Sequence, residues 1–181
     1  MKNKIKSNVM PTYGNRTLEF VRGKGVYLFD NTDKKYLDFA SGIAVNSLGH
    51  CHPSLVNALN KQSQKLWHTS NLYKNVAQER FASKLCENSF ADKVFFTNSG
   101  TESIECGLKI IRSYHSYLKT GKTEIISFTG AFHGRTFGAL SAQKNKKYSK
   151  GFEPLLRGFK QVEFNNISKL KNALSKKTAA I

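Results

Sequence analysis

A chain of 181 residues with 39% hydrophobic content has room for one domain, or one and a fraction. Its formal net charge of +17 raises a nucleic-acid partner, yet the lysines are scattered along the chain with no paired zinc ligands, aromatic RNP strands or helix-turn-helix pattern beside them. No stretch reaches the length of a membrane span, and the basic opening MKNKIKSNVMPTYGNR lacks the apolar run of a secretory signal, so no membrane partner and a cytoplasmic location are expected.

Residues 18–39, LEFVRGKGVYLFDNTDKKYLDF, alternate apolar and polar side chains around the turn-forming Asp30-Asn31-Thr32-Asp33, which predicts strands joined by a hairpin. Gly23-Lys24-Gly25 is too short for a dinucleotide fingerprint. Ala40 to Gly49 is small and apolar and reads as a buried connection. The run Gly49-His50-Cys51-His52-Pro53 suggests a metal, but adjacent side chains diverge and rarely converge on one ion. Cys51, Cys86 and Cys106 lie far apart with no C-x-x-C pair, so neither a zinc knuckle nor a disulfide framework is signalled, and no metal site is expected.

Leu55, Leu59 and Leu66 follow Pro53 at helical spacing and predict a helix over 54–66. Phe81 and Leu85 mark a second helix from about Ala77 to Asn88. A strand over 93–97, a helix from about Thr101 to Leu118, a strand over 124–128 and a loop over 129–135 come next. Strands alternating with helices point to an α/β domain with a mainly parallel sheet. The run from Lys144 to Lys150, with Lys146 and Lys147 inside it, reads as a solvated loop. The closing KKTAAI, which ends at Ile181, reads as the start of another buried strand.

Between the strand and helix stand Thr97, Asn98, Ser99, Gly100 and Thr101. Ser99 and Glu102 have capping-box spacing ahead of a face made by Ile104, Leu108, Ile111 and Leu118. Capping leaves Gly100 unexplained, because a glycine in a helix costs about 1 kcal/mol relative to alanine. A missing Cβ lets an anion approach the N–H groups at the positive end of the helix dipole, and Thr101 adds a hydroxyl. A plain cap and a phosphate site both fit these residue types. In the loop after the next strand, Phe132 can stack on a flat ligand and Arg135 can clamp a carboxylate. A packed phenylalanine and a solvated arginine are the plainer reading of that pair. Side by side, the two loops would serve a phosphate, a planar ring and a carboxylate, which suggests pyridoxal phosphate with an amino-acid substrate.

The stretches MPTYGNRTLEFVRGKGVYLFD, KKYLDFASGIAVNSLGHCHPSLVNAL, FFTNSGTESIECGLKIIR, GAFHGRTFGALSA and KGFEPLLRGF together resemble the class III pyridoxal-phosphate aminotransferases, in that family's order. The resemblance implies an α/β fold of fold-type I, aspartate aminotransferase-like. It implies an N-terminal segment of the small domain with its linker over 1–65 and an incomplete large domain, the first part of the cofactor-binding domain, over 66–181. It implies that Gly100 and Thr101 bind the phosphate of pyridoxal 5'-phosphate and that Phe132 stacks on its ring. Arg135 would hold a substrate carboxylate, and Tyr13 would stand on the substrate side. The complete family member is a homodimer.

The implied activity is amino transfer between N-acetylornithine and 2-oxoglutarate, a step of arginine synthesis, with ornithine, succinylornithine or 4-aminobutyrate as alternative donors. The Schiff-base lysine and the aspartate that partners the pyridinium nitrogen are expected beyond Ile181, outside the matched region, and the last aspartate here is Asp92. No catalytic residue is therefore expected among the 181, and the chain is expected to be the N-terminal part of an enzyme and inactive alone. Asp33 replaces a common glycine in the hairpin turn, Arg157 a proline, Asn166 an aspartate, and Ser103 and Cys106 common alanines. A non-catalytic binding or dimerisation module, basic enough for nucleic acid, is the reading from another class.

Overall fold

The computed structural model describes residues 8–14, 16–143 and 145–181. They form two contact units divided between Glu79 and Arg80. In the first, β1 (Phe20–Lys24), β2 (Tyr27–Asp30) and β3 (Lys35–Leu37) pair antiparallel in the order β1-β2-β3. The predicted hairpin turn is organised by Asp30. Its Oδ1 accepts from the Thr32 hydroxyl at 2.7 Å and from the N–H groups of Thr32 and Lys34 at 2.9 and 3.0 Å. Its Oδ2 accepts from the Tyr36 hydroxyl at 3.0 Å. These bonds, the Thr32 hydroxyl foremost, lower the Asp30 carboxyl to a pKa of about 2. Asp33 stands at φ 66, a left-handed conformation that aspartate tolerates better than most residues, with its carboxylate paired to Arg22.

His50 exchanges backbone hydrogen bonds with Gly25 at 2.7 and 2.9 Å. Its Nε2 lies 2.7 Å from Asp38 Oδ2, and a Cβ on Gly23 would stand 2.6 Å from its Cγ. The His50 bond first, and the Ser41 N–H second, hold the Asp38 carboxyl below the usual carboxylate range. Among the described residues no three metal-ligating side chains gather.

The stretch Ala40 to Gly49 is not buried. Its α1 (Ser41–Ala44) is a single turn in which Ser41, Gly42, Ile43 and Ala44 all have positive φ. Such a backbone breaks the helical period, so its apolar side chains cannot gather on one face. Ile43 and Val45 are accordingly 92% and 75% exposed. Next come α2 (Pro53–Ser63), with Pro53 in the first turn as expected, and α3 (Val76–Glu87), which contains the division between the units.

The second unit continues with α4 (Gly100–Tyr117), β4 (Glu124–Phe128), α5 (Phe137–Gln143), α6 (Lys146–Ser149), β5 (Phe159–Val162), α7 (Ile167–Ala173) and β6 (Thr178–Ala180). The strands form a parallel sheet in the order β5-β4-β6. Central β4 buries Ile125, Ile126 and Ser127, as a near-continuous apolar run does when both sheet faces are covered. Ile125, Ala142 and Phe159 cluster there, with Leu108 and Ile111 of α4 packed against them. The small residues of α5 allow close approach, and Gly138 to Gln143 are buried. Asn166 caps α7 by accepting from the Lys169 N–H at 3.0 Å, a task asparagine does as well as aspartate.

Four expectations are corrected here. Residues 93–97 are in neither sheet; a strand exists only through a ladder, and no described segment supplies one. Leu118 is 47% exposed, because α4 ends before it. The lysine-rich run is not a loop throughout: Asn145 accepts from the Lys147 N–H and starts the short α6, with Lys146, Lys147 and Lys150 exposed. Lys144 lies outside the described residues. KKTAAI does form a strand, β6, half-buried beside β4. The strand stops at Ala180, and Ile181 after it has no ladder partner and is 63% exposed, not buried.

Candidate functional site

α4 begins at a complete cap. Ser99 is extended, and its Oγ accepts from the Glu102 N–H at 3.2 Å. The Glu102 carboxylate reaches one residue further back than a capping box requires, to the Asn98 N–H at 2.6 Å. Thr97 and Ser103 join hydroxyls at 2.6 Å across this turn, so Ser103 does more than fill space. The helix ladder starts with Ser103 N–H on the Ser99 carbonyl at 3.0 Å. The N–H groups of Gly100 and Thr101 thus head the dipole without an intrahelical partner. A Cβ built on Gly100 would meet nothing within 4 Å. The glycine is therefore not demanded by packing, and open space lies where a ligand would approach.

The loop after β4 leaves the carboxyl end of the central strand, where parallel α/β sheets bind ligands. It is drawn against α4. Gly134 has φ +132, and a Cβ there would fall 2.0 Å from Thr101 Oγ1; only glycine permits that approach. Thr136 Oγ1 lies 3.2 Å from Thr101 Oγ1 and donates to Glu105. Buried Gln143 orients the loop from below, its Oε1 accepting from the His133 N–H at 2.9 Å. A cavity of about 240 Å³ lies between α4 and β4, with Ser103, Gly107, Ser127, Ala131 and His133 in its wall. Ile181, expected from the sequence in a buried strand, also forms part of that wall.

Of the sequence-derived candidates, Gly100 and Thr101 sit at the helix N-terminus, and Phe132 and Arg135 on the loop held against it. Phe132 is 64% exposed. The Arg135 guanidinium lies over the Tyr148 ring at 3.8 Å and over Phe132 at 5.4 Å, a cation–π arrangement that leaves its donors available. Tyr13 belongs to the first unit, 79% exposed with Arg16 over its ring at 5.9 Å. Sequence reasoning missed Glu105, Thr136 and Tyr148. Glu105 carried a usable signal, standing four residues after Thr101 and so on its side of the helix.

The family profile described as aminotransferase class-III matches residues 9–181. The chain belongs to the class III aminotransferases. Pyridoxal phosphate is the cofactor of this family, and the fold is that of its fold-type I enzymes. An acetylornithine aminotransferase of Agrobacterium fabrum is 51% identical over 172 residues, covering 94% of this chain and 43% of that protein. The ornithine aminotransferase of Toxoplasma gondii ME49 superposes with a TM-score of 0.88 at 27% identity, over 93% of this chain and 41% of the other. An N-acetylornithine aminotransferase of Stenotrophomonas maltophilia K279a gives 0.73 at 34% identity, over 91% and 40%. The class III chain spans less than half the length of each of these relatives. Its residues fit one end of the cofactor: open space at Gly100, partnerless N–H groups and an exposed aromatic side chain.

Proposed function

We propose that this class III chain serves amino transfer from N-acetylornithine to 2-oxoglutarate, giving N-acetylglutamate 5-semialdehyde and glutamate, as a step of arginine synthesis. The observation that carries the reading is the seating of Gly134 on Thr101, which brings a phosphate-type helix N-terminus and an arginine-bearing loop together. When bound, pyridoxal phosphate supplies a carbonyl that accepts the amino group and a ring that withdraws electrons.

The chain's own residues orient both partners. The N–H groups of Gly100 and Thr101 hold the phosphate, and the Thr101 hydroxyl turns to it from Thr136. Phe132 covers one ring face. Arg135 takes the carboxylate that every donor and acceptor carries, which fixes the reacting carbon relative to the ring. Tyr13 is proposed to line the substrate side. Among the described residues every lysine is exposed except half-buried Lys160, which pairs with Glu124 at 2.7 Å. A lysine becomes nucleophilic at neutral pH when desolvated or charge-tuned. The chain is therefore proposed to hold the cofactor without bonding to it, the Schiff-base lysine lying beyond Ile181 in the whole enzyme, and to act as part of a homodimer. Within the second unit, exposed Phe90 and Phe95, at 101% and 75%, support an association surface.

The test is an enzyme in which residues 9–181 replace the matching part of the Agrobacterium relative, assayed for glutamate formation. The expected order of kcat/KM places N-acetylornithine above ornithine, succinylornithine and 4-aminobutyrate; preference for another donor contradicts the assignment. In the 181-residue chain, borohydride trapping followed by mass spectrometry is expected to find no pyridoxyl-lysine.

A further inference from the structure

Glu105 stands one turn after Thr101 on the face of α4 that meets the arginine loop. Its Oε1 accepts from the Thr136 hydroxyl and, at 3.2 Å, from the Ala139 N–H. That N–H belongs to the first turn of α5, where backbone donors have no partner within their own helix. A Cβ on Gly138 would lie 2.5 Å from both carboxylate oxygens, so this glycine makes room for the acid. Three successive points of the segment are thereby fastened to one helix: Gly134 on Thr101, Thr136 between Thr101 and Glu105, and the Gly138–Ala139 peptide on Glu105. Arg135 lies between the first two.

We infer that Glu105 is a positioning residue, which sets the Arg135 guanidinium at a fixed place relative to the phosphate end of α4. The inference rests on the proposed role of Arg135 as the carboxylate clamp. Glu105 touches no ligand. A substrate carboxylate and the cofactor phosphate are recognised by different segments, and the distance between them is only as definite as the tie joining those segments. The start of α4 is capped by Ser99 and Glu102, independently of Glu105. Loss of Glu105 therefore releases the arginine and leaves the phosphate N–H groups in place.

The test uses the 181-residue chain with Glu105→Ala, Glu105→Gln and Gly138→Ala. The readouts are glutarate affinity, pyridoxal 5'-phosphate affinity and amide hydrogen exchange at Ala139. Glu105→Ala is expected to weaken glutarate about tenfold and to speed Ala139 exchange by a similar factor. Pyridoxal phosphate affinity should move less than about twofold. Glutamine, whose Oε1 can accept both bonds, should restore glutarate to within about threefold of the unsubstituted chain. Gly138→Ala, which displaces the acid, should behave like Glu105→Ala. Equal weakening of both ligands indicates general loosening and overturns the positioning role, as does glutarate affinity untouched by Glu105→Ala. Failure of the unsubstituted chain to bind glutarate overturns the reading of Arg135 instead. The tie is then judged by exchange alone, and Ala139 protection that survives Glu105→Ala overturns it.

Discussion

In the first unit no described residue is buried, and its turns are held by hydrogen bonds converging on Asp30 and Asp38; in the second, Ile126 and Leu140 are 2% and 4% exposed inside a parallel sheet and its helices. Both regions contain large apolar side chains, but only the second gathers them on one side of regular elements. The β4–α5 stack is a buried platform, and the arginine loop joins its two members. The first unit instead shows how far local polar chemistry can specify a meander whose apolar residues, Phe39 at 92% exposure among them, remain uncovered.

Truncation separates the two regions most sharply. Ile126→Ala should destabilise the second unit by about 3 kcal/mol through lost burial and a residual cavity, whereas Ile43→Ala should stay within about 0.5 kcal/mol. Urea midpoints check both, and a comparable loss at Ile43 breaks the contrast. Gly134→Ala comes next, at about 2 kcal/mol, because a Cβ at φ +132 meets Thr101 directly. The same variant should show reduced glutarate binding, since the loop must lift. Ser99→Ala should remove about 1 kcal/mol from α4 through loss of its cap.

Acid sharpens the comparison from the other side. Asp30 and Asp38 have folded pKa values below the ordinary 3.8. Their contribution is complete above that value and is lost as pH falls below it, for Asp30 through about 2. Lys160 and Lys169 likewise hold Glu124 and Glu163 below the usual range in the second unit, but Ile126 and its neighbours do not titrate. Hydrogen exchange at pH 5 and pH 2.5 should therefore show the Thr32 and Lys34 amides losing protection before the amides of β4 do. Simultaneous loss would mean that the carboxylates are not what holds the first unit.

What was legible in the sequence was local. The turn at Asp30, the cap at Ser99 and the strand over 124–128 each declare themselves within a few residues, and each was found where expected. Residues 93–97 have strand-like composition, but pairing is non-local and no described neighbour completes a ladder. Ala40 to Gly49 misled because composition does not reveal four consecutive positive φ angles. At the site, Gly100 and Arg135 were visible from residue type. The spacing of Glu105 from Thr101 was visible, but its task was hidden because its partners, Thr136 and Ala139, lie more than thirty residues away. The place of Ile181 in the cavity wall was hidden for the same reason, since the other wall residues come from α4, β4 and the arginine loop.

The central claim is that the start of α4 is shaped for a phosphate and not only for a helix cap, and Gly100→Ala addresses it directly. Alanine meets open space there and is a better helix former by about 1 kcal/mol. The melting temperature should hold or rise, while titration calorimetry should show pyridoxal 5'-phosphate binding weakened about tenfold and binding of pyridoxal, which has no phosphate, unaltered. Unchanged affinity for pyridoxal 5'-phosphate in the folded variant would contradict the claim and leave Gly100 as part of a plain cap.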